Sequence, residues 1–234
     1  MKLSIVIPFY NEAENVDDLL REVRGLYPDA EIVAVNDGST DATESLIRQH
    51  PDVRLVSFPK NLGQSAALYA GMRNATGDLC AMLDGDGQND PAYIGRLVEE
   101  MERQNADMAC GYRMDRDDPG IRLIGSRIAN AVRKMIVNDG IRDAGCTLKV
   151  LKRKHVRLII PFNHLHLYIP AFLRKAGLKI VEVGTRHRPR QRGISKYNIF
   201  TEALPCFFDL LGTRWLLSRQ IYFDETVLQN PISE

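Results

Sequence analysis

The sequence lacks the features that mark a secreted, membrane-spanning or nucleic-acid-binding protein. No uninterrupted run of 18 apolar residues occurs in its 234 positions, so we expect no transmembrane helix. A net charge of +1 gives no general affinity for nucleic acid. The four cysteines are widely spaced and form no CxxC pair, which is typical of buried, reduced thiols. The first twelve residues, MKLSIVIPFYNE, hold too short an apolar run for a signal peptide and predict a strand.

Apolar, strand-like runs alternate with helical patterns through the first half of the chain. The predicted strands are Leu3–Ile7, Ile32–Asn36, Val53–Phe58, Leu79–Leu83 and Ala106–Cys110. The predicted helices between them are Ala13–Arg24, Ala42–Gln49, Ser65–Asn74 and Ala92–Gln104. This alternation predicts an α/β domain with a mostly parallel sheet and helices on both faces. Ligands of such sheets bind beyond the carboxyl ends of the strands.

The second half is less regular. Its predicted elements are helices at Ile121–Val137, Leu165–Ala176 and Ile199–Leu217 and a strand at Lys179–Val183. We expect one domain over residues 1–198 and a C-terminal amphipathic helical extension with a tail over residues 199–234. One side of the last helix carries Phe200, Leu204, Phe207, Phe208, Leu211 and Trp215, and the opposite stripe carries Glu202, Asp209 and Thr213. Such a helix packs either on the sheet or in a membrane interface, and the sequence leaves both open.

An acidic cluster follows the fourth predicted strand. Asp84, Asp86 and Asp90 fall within seven residues, in the segment LDGDGQNDP. Two carboxylates ~6 Å apart repel by about 3 kcal/mol at an effective dielectric of about 20, so either water screens them or a cation binds them. Alternate residues of an extended segment share a side, which brings Asp84 and Asp86 together. Oxygen ligands in this pattern favour Mg²⁺ or Mn²⁺ bridging a diphosphate.

The sequence lacks the glycine-rich loops that commonly bind phosphate, so other residues would have to bind it. Neither GxxxxGK[ST] nor a GxGxxG after the first strand is present. The segment Arg186–Lys196 instead holds five basic side chains among eleven residues. Arginine's planar fork suits phosphate oxygens, and Pro189 and Gly193 bend the segment. A solvated loop is the alternative, but so basic a segment in a nearly neutral protein favours an anionic ligand.

Several motifs together resemble a known enzyme family. The segments SIVIPFYNEAENV, VNDGSTDAT, NLGQSAAL, LDGDGQNDP and GYR occur in the order seen in family-two glycosyltransferases of the GT-A fold. The later DAGCTLKV and HRPRQRGISKYN resemble the polyprenyl-phosphate glycosyltransferases, whose best-known branch is dolichyl-phosphate mannosyltransferase. The resemblance covers about residues 2–217, and it implies a GT-A-like, Rossmann-like fold.

The resemblance also implies a role for each matching residue. Nucleotide-sugar binding is implied for Pro8, Tyr10, Glu12, Asp37, Asp84 and Arg113. Metal binding, of Mg²⁺ or Mn²⁺, is implied for Asp84, Asp86 and Gln88. Binding of lipid phosphate or diphosphate is implied for His187, Arg190, Ser195 and Lys196. A catalytic place is implied for Asp86, Asp143 and Arg127, with Arg127 facing phosphate charge and Asp143 beside the transferred sugar. The residues alone leave Asp37 open as a turn aspartate that caps the next helix.

The reaction implied is an inverting, metal-dependent transfer of a hexosyl group from a GDP- or UDP-linked sugar to a polyprenyl phosphate. The acceptor oxygen is already anionic at neutral pH, so we expect many cations and no essential base. A hydroxyl acceptor is the nearest rival, with Asp143 as its base. A non-catalytic lipid- or partner-binding module is the other alternative. A sugar nucleotidyltransferase is disfavoured, because PFYNE is acidic where those enzymes are glycine-rich and basic.

The resemblance further implies a peripheral enzyme on the cytoplasmic face of the membrane, which it contacts through Ile199–Leu217. Related enzymes often carry transmembrane helices after this point. One departure from the family is the apolar Leu167 between His166 and Tyr168, where a more basic character is expected. His164 and His166 alternate within the same stretch. With no third ligand at matching spacing, we interpret these histidines as polar residues at the start of a helix and not as metal ligands.

Overall fold

Seven strands form one sheet in the part of the chain that the structure describes. The computed structural model describes residues 1–114, 130–190, 192 and 199–221, except for the side chains of 199–204. The strands are β1 (Leu3–Phe9), β2 (Glu31–Asn36), β3 (Val53–Ser57), β4 (Leu79–Met82), β5 (Met108–Arg113), β6 (Lys149–Lys152) and β7 (Ile180–Thr185). Their order in the sheet is β3-β2-β1-β4-β6-β5-β7. All pairings are parallel except those of β6, so the predicted mostly parallel sheet is confirmed.

Helices cover both faces of this sheet, as predicted. They are α1 (Ala13–Leu26), α2 (Thr43–Ile47), α3 (Gln64–Asn74), α4 (Tyr93–Arg103), α5 (130–137), α6 (Leu165–Lys175) and α7 (Ile199–Arg219), with a 3-10 helix at Arg153–Leu158. On one face, α1, α2 and α4 pack on β1 residues such as Ile5 and Ile7. On the other, α3 packs on β1 residues such as Val6, and α6 and α7 belong to the same apolar cluster, with α7 against α6. Ile5 and Ile7 face one side of the sheet and Val6 the other, because successive side chains of a strand point to opposite faces.

Two elements differ from the sequence-based expectation. The antiparallel strand β6 and the 3-10 helix were not predicted, because KVLKRKHVRL reads as a short basic stretch with little apolar periodicity. The predicted helix Ile121–Val137 is described only over residues 130–137, and its earlier part lies outside the described residues. The four cysteines are free thiols; burial raises the pKa of Cys80 and Cys110 to about 12, which keeps both protonated.

Over its described side chains, helix α7 turns Asp209 and Thr213 toward the protein and four apolar side chains toward solvent. Leu210, Thr213 and Leu217 are buried, and Asp209 Oδ2 lies 2.6 Å from His164 Nδ1. The exposed side chains are Phe207 (46%), Phe208 (62%), Leu211 (43%) and Trp215 (63%). The side chains of Phe200, Glu202 and Leu204 lie outside the description. These four side chains therefore do not pack on the sheet, which was one of the two environments predicted for this side of the helix.

The two histidines lie at the start of α6, as expected. His164 is the residue before the first helical turn and has a left-handed backbone (φ 59°), while the His166 ring contacts the Ser65 hydroxyl at 2.9 Å. Burial lowers the pKa of His166 to about 3, so this ring is neutral. His164 instead joins α6 to α7.

Raising the pH is expected to weaken the docking of α7. The Cys206 side chain first and the Asp209 carboxylate after it raise the pKa of His164 to about 9, from an ordinary 6.5. Because the folded pKa is the higher one, the protonated ring stabilises the fold fully below pH 6.5, and this contribution is lost as the pH rises from 6.5 through 9. Denaturant titrations across this range should show a loss of about 1–2 kcal/mol in the free energy of unfolding.

The variant that tests this role is His164→Asn, since asparagine tolerates the left-handed backbone at this position. This variant should lose the part of the pH dependence that lies between pH 6.5 and 9. A profile identical to that of the unaltered chain would contradict the role given to His164.

Candidate active site

The predicted site residues that the structure describes all lie on the side of the sheet where the parallel strands end. Pro8, Tyr10 and Glu12 occur at the end of β1 or directly after it, and Asp37 follows β2. Asp84, Asp86 and Gln88 follow β4, while Arg113 is the last residue of β5. Asp143 precedes β6, whose antiparallel direction brings it to the same side, and His187 and Arg190 follow β7. Arg127, Ser195 and Lys196 lie outside the described residues.

The acidic loop after β4 is held tightly against the end of β1. Gly85 leaves no space for a side chain, because an added Cβ would lie 2.4 Å from the Pro8 carbonyl oxygen and 2.7 Å from Phe9 Cδ1. Gly87 has a positive φ of 72°, which glycine adopts without strain. The two glycines therefore serve backbone packing and turn geometry, and they fix where Asp84 and Asp86 project.

Asp84 is surrounded by neutral hydrogen-bond donors. Its carboxylate accepts bonds from Gln64 Nε2 at 2.7 Å and Asn89 Nδ2 at 2.8 Å, and the Thr147 side chain also bonds to it. Burial first, and the charge of Asp86 next, raise the pKa of Asp84 to about 7. The surroundings of Asp84 therefore disfavour the charged form of this carboxyl group.

Asp86 is instead paired with arginine. Its Oδ2 accepts a bond from Arg190 Nη2 at 2.9 Å, and its Oδ1 accepts the backbone N–H of Gln88 at 3.0 Å. The same guanidinium donates through Nη1 to Glu12 Oε1 at 3.2 Å. One cationic side chain therefore joins two predicted ligand-binding carboxylates from different strands.

The donor set fits a divalent cation whose coordination a substrate completes. Among the described residues, no three His, Cys, Asp or Glu side chains are grouped as a complete metal site. Magnesium and manganese commonly bind through one or two carboxylates together with substrate phosphates and water. Asp84 and Asp86 supply that pair, and the raised pKa of Asp84 indicates that positive charge would be favoured here. Gln88 contributes its backbone to the loop through the bond to Asp86.

Arg113 and Asp143 form a two-pronged ion pair. Arg113 donates through Nε at 2.7 Å and Nη2 at 2.9 Å to the two carboxylate oxygens of Asp143. Such bidentate pairs are geometrically specific. The loop that starts at Asp143 ends at Thr147, which bonds to Asp84, so the pair and the acidic loop are connected through five residues.

A buried lysine supports this loop and was missed in the sequence. Lys149 on β6 is fully buried, and its Nζ donates to the carbonyl oxygens of Ala144, at 3.1 Å, and Cys146. Its charge also acts on Asp84, whose pKa it lowers against the effect of burial. Its position within the apolar run of DAGCTLKVL could have indicated that this lysine is buried. The sequence also missed Gln64 and Asn89, the donors to Asp84, and nothing in it could have indicated their role, because amides are ordinary surface residues.

Asp37 holds a neighbouring loop. Its carboxylate accepts the backbone N–H groups of Leu62 at 2.7 Å and Gly63 at 2.9 Å, and the Asn61 side chain at 3.0 Å. Burial nevertheless raises the pKa of Asp37. These bonds fix the turn before α3; the assignment of Asp37 to nucleotide binding stays a prediction.

The start of the basic segment, directly after β7, lies along the acidic loop. His187 forms an isolated β-bridge with Asn89, and the Arg188 N–H donates to the Gln88 carbonyl at 2.8 Å. Arg188 also binds Glu22 through two bonds of 2.8 and 2.9 Å and lies 2.9 Å from Asp90. His187 and Arg190, two of the residues predicted for phosphate, thus lie beside the loop that carries the predicted metal ligands; their roles stay predictions.

Comparison with known proteins identifies the family. A sequence model of a protein family, described as "Glycosyl transferase family 2", matches residues 4–159. The chain belongs to glycosyl transferase family 2. The predicted resemblance and the prediction of a glycosyltransferase are confirmed.

Curated relatives within family 2 act on polyprenyl phosphates according to their names. Dodecaprenyl-phosphate galacturonate synthase of Rhizobium johnstonii is 35% identical over 93% of this chain and 68% of that protein. Undecaprenyl-phosphate 4-deoxy-4-formamido-L-arabinose transferase of Edwardsiella ictaluri is 31% identical over 89% of this chain and 66% of that protein. The chain thus spans about two thirds of the length of these relatives.

Solved structures share the fold. Glucosyl-3-phosphoglycerate synthase of Mycobacterium tuberculosis, crystallised with Mn²⁺, UDP and glucosyl-3-phosphoglycerate, superposes with a TM-score of 0.71 at 19% identity. The match covers 93% of this chain and 79% of the other. At this identity the likeness establishes the fold alone, and it confirms the expected GT-A-like α/β architecture.

Gly85→Ala is expected to disturb the acidic loop. The added methyl group would overlap the Pro8 carbonyl and the Phe9 ring, so the free energy of unfolding should fall by about 1–3 kcal/mol, as overpacking typically costs. Gly95→Ala in α4 is the matched control, because its nearest neighbour would be Tyr27 Oη at an ordinary 3.6 Å. Denaturant unfolding of both variants tests this, and equal stabilities would argue against the tight packing of the loop.

Proposed function

We propose that the chain transfers a hexosyl group, with inversion, from a nucleoside-diphosphate sugar to a polyprenyl phosphate, in a reaction that requires a divalent cation. The relatives that are named for polyprenyl-phosphate substrates carry this proposal. The carboxylate pair of Asp84 and Asp86 beside Arg190 supports a donor that brings a diphosphate. The structural neighbour crystallised with Mn²⁺ and UDP-glucose supports the choice of cation.

The residues of the chain would bind and orient two anions. Glu12 and Asp37 would accept hydrogen bonds from the ribose or the base, and Asp84 and Asp86 would hold Mg²⁺ or Mn²⁺. The cation, when bound, supplies positive charge to the diphosphate. Arg190 and Arg113, with Arg127 and Lys196 from the segments outside the description, would lower the repulsion between lipid phosphate and donor.

No general base is needed for this acceptor. A phosphate oxygen of the lipid attacks the anomeric carbon, the bond from that carbon to the diphosphate oxygen breaks, and the nucleoside diphosphate leaves. A single displacement inverts the configuration. Asp143 fits this scheme, since both of its oxygens already accept bonds from Arg113 and a proton taken there would disrupt the pair. Its proposed place is beside the sugar.

The outward aromatic side of α7 is the proposed membrane contact. Phe207, Phe208, Leu211 and Trp215 are exposed, and Arg214 and Arg219 are exposed beside them. Aromatic and basic side chains together suit the interface of an anionic bilayer. The described helices include none that is both long and apolar enough to cross a bilayer. We place this contact on the cytoplasmic face, where nucleotide sugars are available.

Titration of GDP and UDP into the protein tests the donor. One nucleotide should bind with Mn²⁺ present, and a chelator should abolish this binding, because the carboxylates then repel the diphosphate. Asp86→Asn should weaken the binding by about ten-fold or more through loss of a charged ligand. Absence of binding by either nucleotide to the folded protein would favour the lipid- or partner-binding module instead.

The acceptor is tested by product analysis. Incubation with the nucleotide sugar and either a polyprenyl phosphate or a polyprenol should give a glycosylated phosphate only with the former, as seen by mass spectrometry. Transfer to an alcohol, lost in Asp143→Asn while donor binding persists, would support the rival with a hydroxyl acceptor.

Vesicle binding tests the membrane contact, with Trp215, the only tryptophan, as the reporter. Anionic vesicles should shift its emission to shorter wavelength. Phe208→Ser with Leu211→Ser should weaken vesicle binding by about ten-fold, since two partly inserted side chains are lost. The control removes two exposed apolar residues elsewhere, Leu26→Ser with Met135→Ser, and should bind like the unaltered chain. Equal losses in both double variants would refute a specific role for α7.

A further inference from the structure

Three arginines of the basic segment are each paired with carboxylates. Arg188 binds Glu22 and Asp90, Arg190 binds Glu12 and Asp86, and Arg192 binds Asp18 at 2.9 Å. These three arginines of the segment predicted to bind phosphate are therefore held against α1 and the acidic loop. A diphosphate that bound to them would compete with these carboxylates.

Arg190 differs from the other two in the carboxylates that it occupies. Asp86 is a proposed metal ligand, whereas the partners of Arg192 and Arg188 are side chains of α1 or Asp90. The Arg190 guanidinium thus places positive charge on an oxygen that a divalent cation would need. A divalent cation bound to this carboxylate would lie next to the guanidinium, and the two positive charges would repel each other and compete for Asp86.

The hydrogen bonding of Arg190 is also incomplete. Its side chain is 20% exposed, and its Nε is a buried donor without an acceptor among the described residues. An unsatisfied buried N–H is unfavourable, and the guanidinium has five such donors in a rigid fork. Phosphate oxygens are acceptors of the kind that this fork binds in pairs. The free Nε therefore points to a ligand oxygen that completes the set.

We propose that Arg190 is an exchangeable counter-ion. Without nucleotide, it neutralises Asp86 and Glu12; when the metal and the diphosphate bind, it leaves Asp86 and donates to the diphosphate instead. This inference rests on the proposed metal-dependent function and adds a regulation of that site. Arg190 opposes the binding of the metal alone and favours the binding of metal and nucleotide together, so the site is not filled by the cation in advance of its substrate.

The two effects of Arg190 have opposite signs, which makes them measurable without turnover. Arg190→Gln should tighten the binding of Mn²⁺ to the nucleotide-free protein by about three- to ten-fold, because one part-buried ion pair no longer competes. The same variant should weaken the binding of the nucleoside diphosphate in the presence of Mn²⁺ by about ten-fold or more, because a charge-assisted bond to phosphate is lost. Mn²⁺ affinity is read by the loss of the free-ion paramagnetic resonance signal, and nucleotide affinity by calorimetry.

Arg192→Gln is the matched control. It removes the same charge from the same segment, but its partner is Asp18 and not Asp86. Mn²⁺ affinity in the nucleotide-free state should equal that of the unaltered chain within two-fold. A second variant, Arg190→Lys, keeps the charge but not the fork, and should bind Mn²⁺ with an affinity between those of the unaltered chain and Arg190→Gln. It provides the test if Arg190→Gln fails to fold.

The outcomes separate this inference from the proposed function. If Arg190→Gln binds Mn²⁺ with unchanged or lower affinity while Asp86→Asn abolishes Mn²⁺ binding, the metal site stands and the exchange is wrong. If Arg192→Gln tightens Mn²⁺ binding as much as Arg190→Gln does, net charge alone explains the effect, and the exchange is again wrong. If the unaltered chain and Arg190→Gln bind no Mn²⁺ with or without nucleotide, the proposed metal dependence fails, and the exchange fails with it.

Discussion

The negative charge at the end of β4 is the constraint on which the rest of the site depends. A strand in the middle of the sheet delivers Asp84 and Asp86 to a place where burial and the charge of Asp86 raise the pKa of Asp84. The surroundings offset this in two ways, with neutral donors around Asp84 and an arginine on Asp86. The divalent cation and the diphosphate of the proposed reaction would act on the negative charge that these arrangements leave.

The topology explains how residues far apart in sequence meet at this charge. Parallel strands end on one side, so loops after β1, β2, β4 and β7 converge there. The single antiparallel strand, β6, begins on that side instead of ending there, and it brings the Asp143–Thr147 loop to Asp84 from the opposite chain direction. One reversed strand therefore connects the Arg113–Asp143 pair with the acidic loop.

The sequence predicted the described strands except β6, most helices and the edge of the sheet where the candidate site residues lie, because these depend on apolar periodicity and on polar residues placed after strands. It could not predict which charges pair. Arg190 was expected to face phosphate, yet it binds Glu12 and Asp86; Lys149 was overlooked, although it is fully buried. Pairing depends on tertiary geometry, which no local pattern records. For α7, the periodicity predicted an aromatic side and a polar side, and only the tertiary packing shows which of them faces solvent.

The position of β6 has a consequence for how the chain reaches its native state. This strand follows β5 in the sequence but lies between β4 and β5 in the sheet. Until residues 149–152 have been synthesised and inserted, β4 is an unprotected edge, with the apolar Leu79–Met82 open to pairing with other chains. Pairings between residues so distant along the chain form slowly. The nascent protein is therefore most prone to aggregate in this interval, and a chaperone that shields β4 would act on the same strand that later presents Asp84 and Asp86.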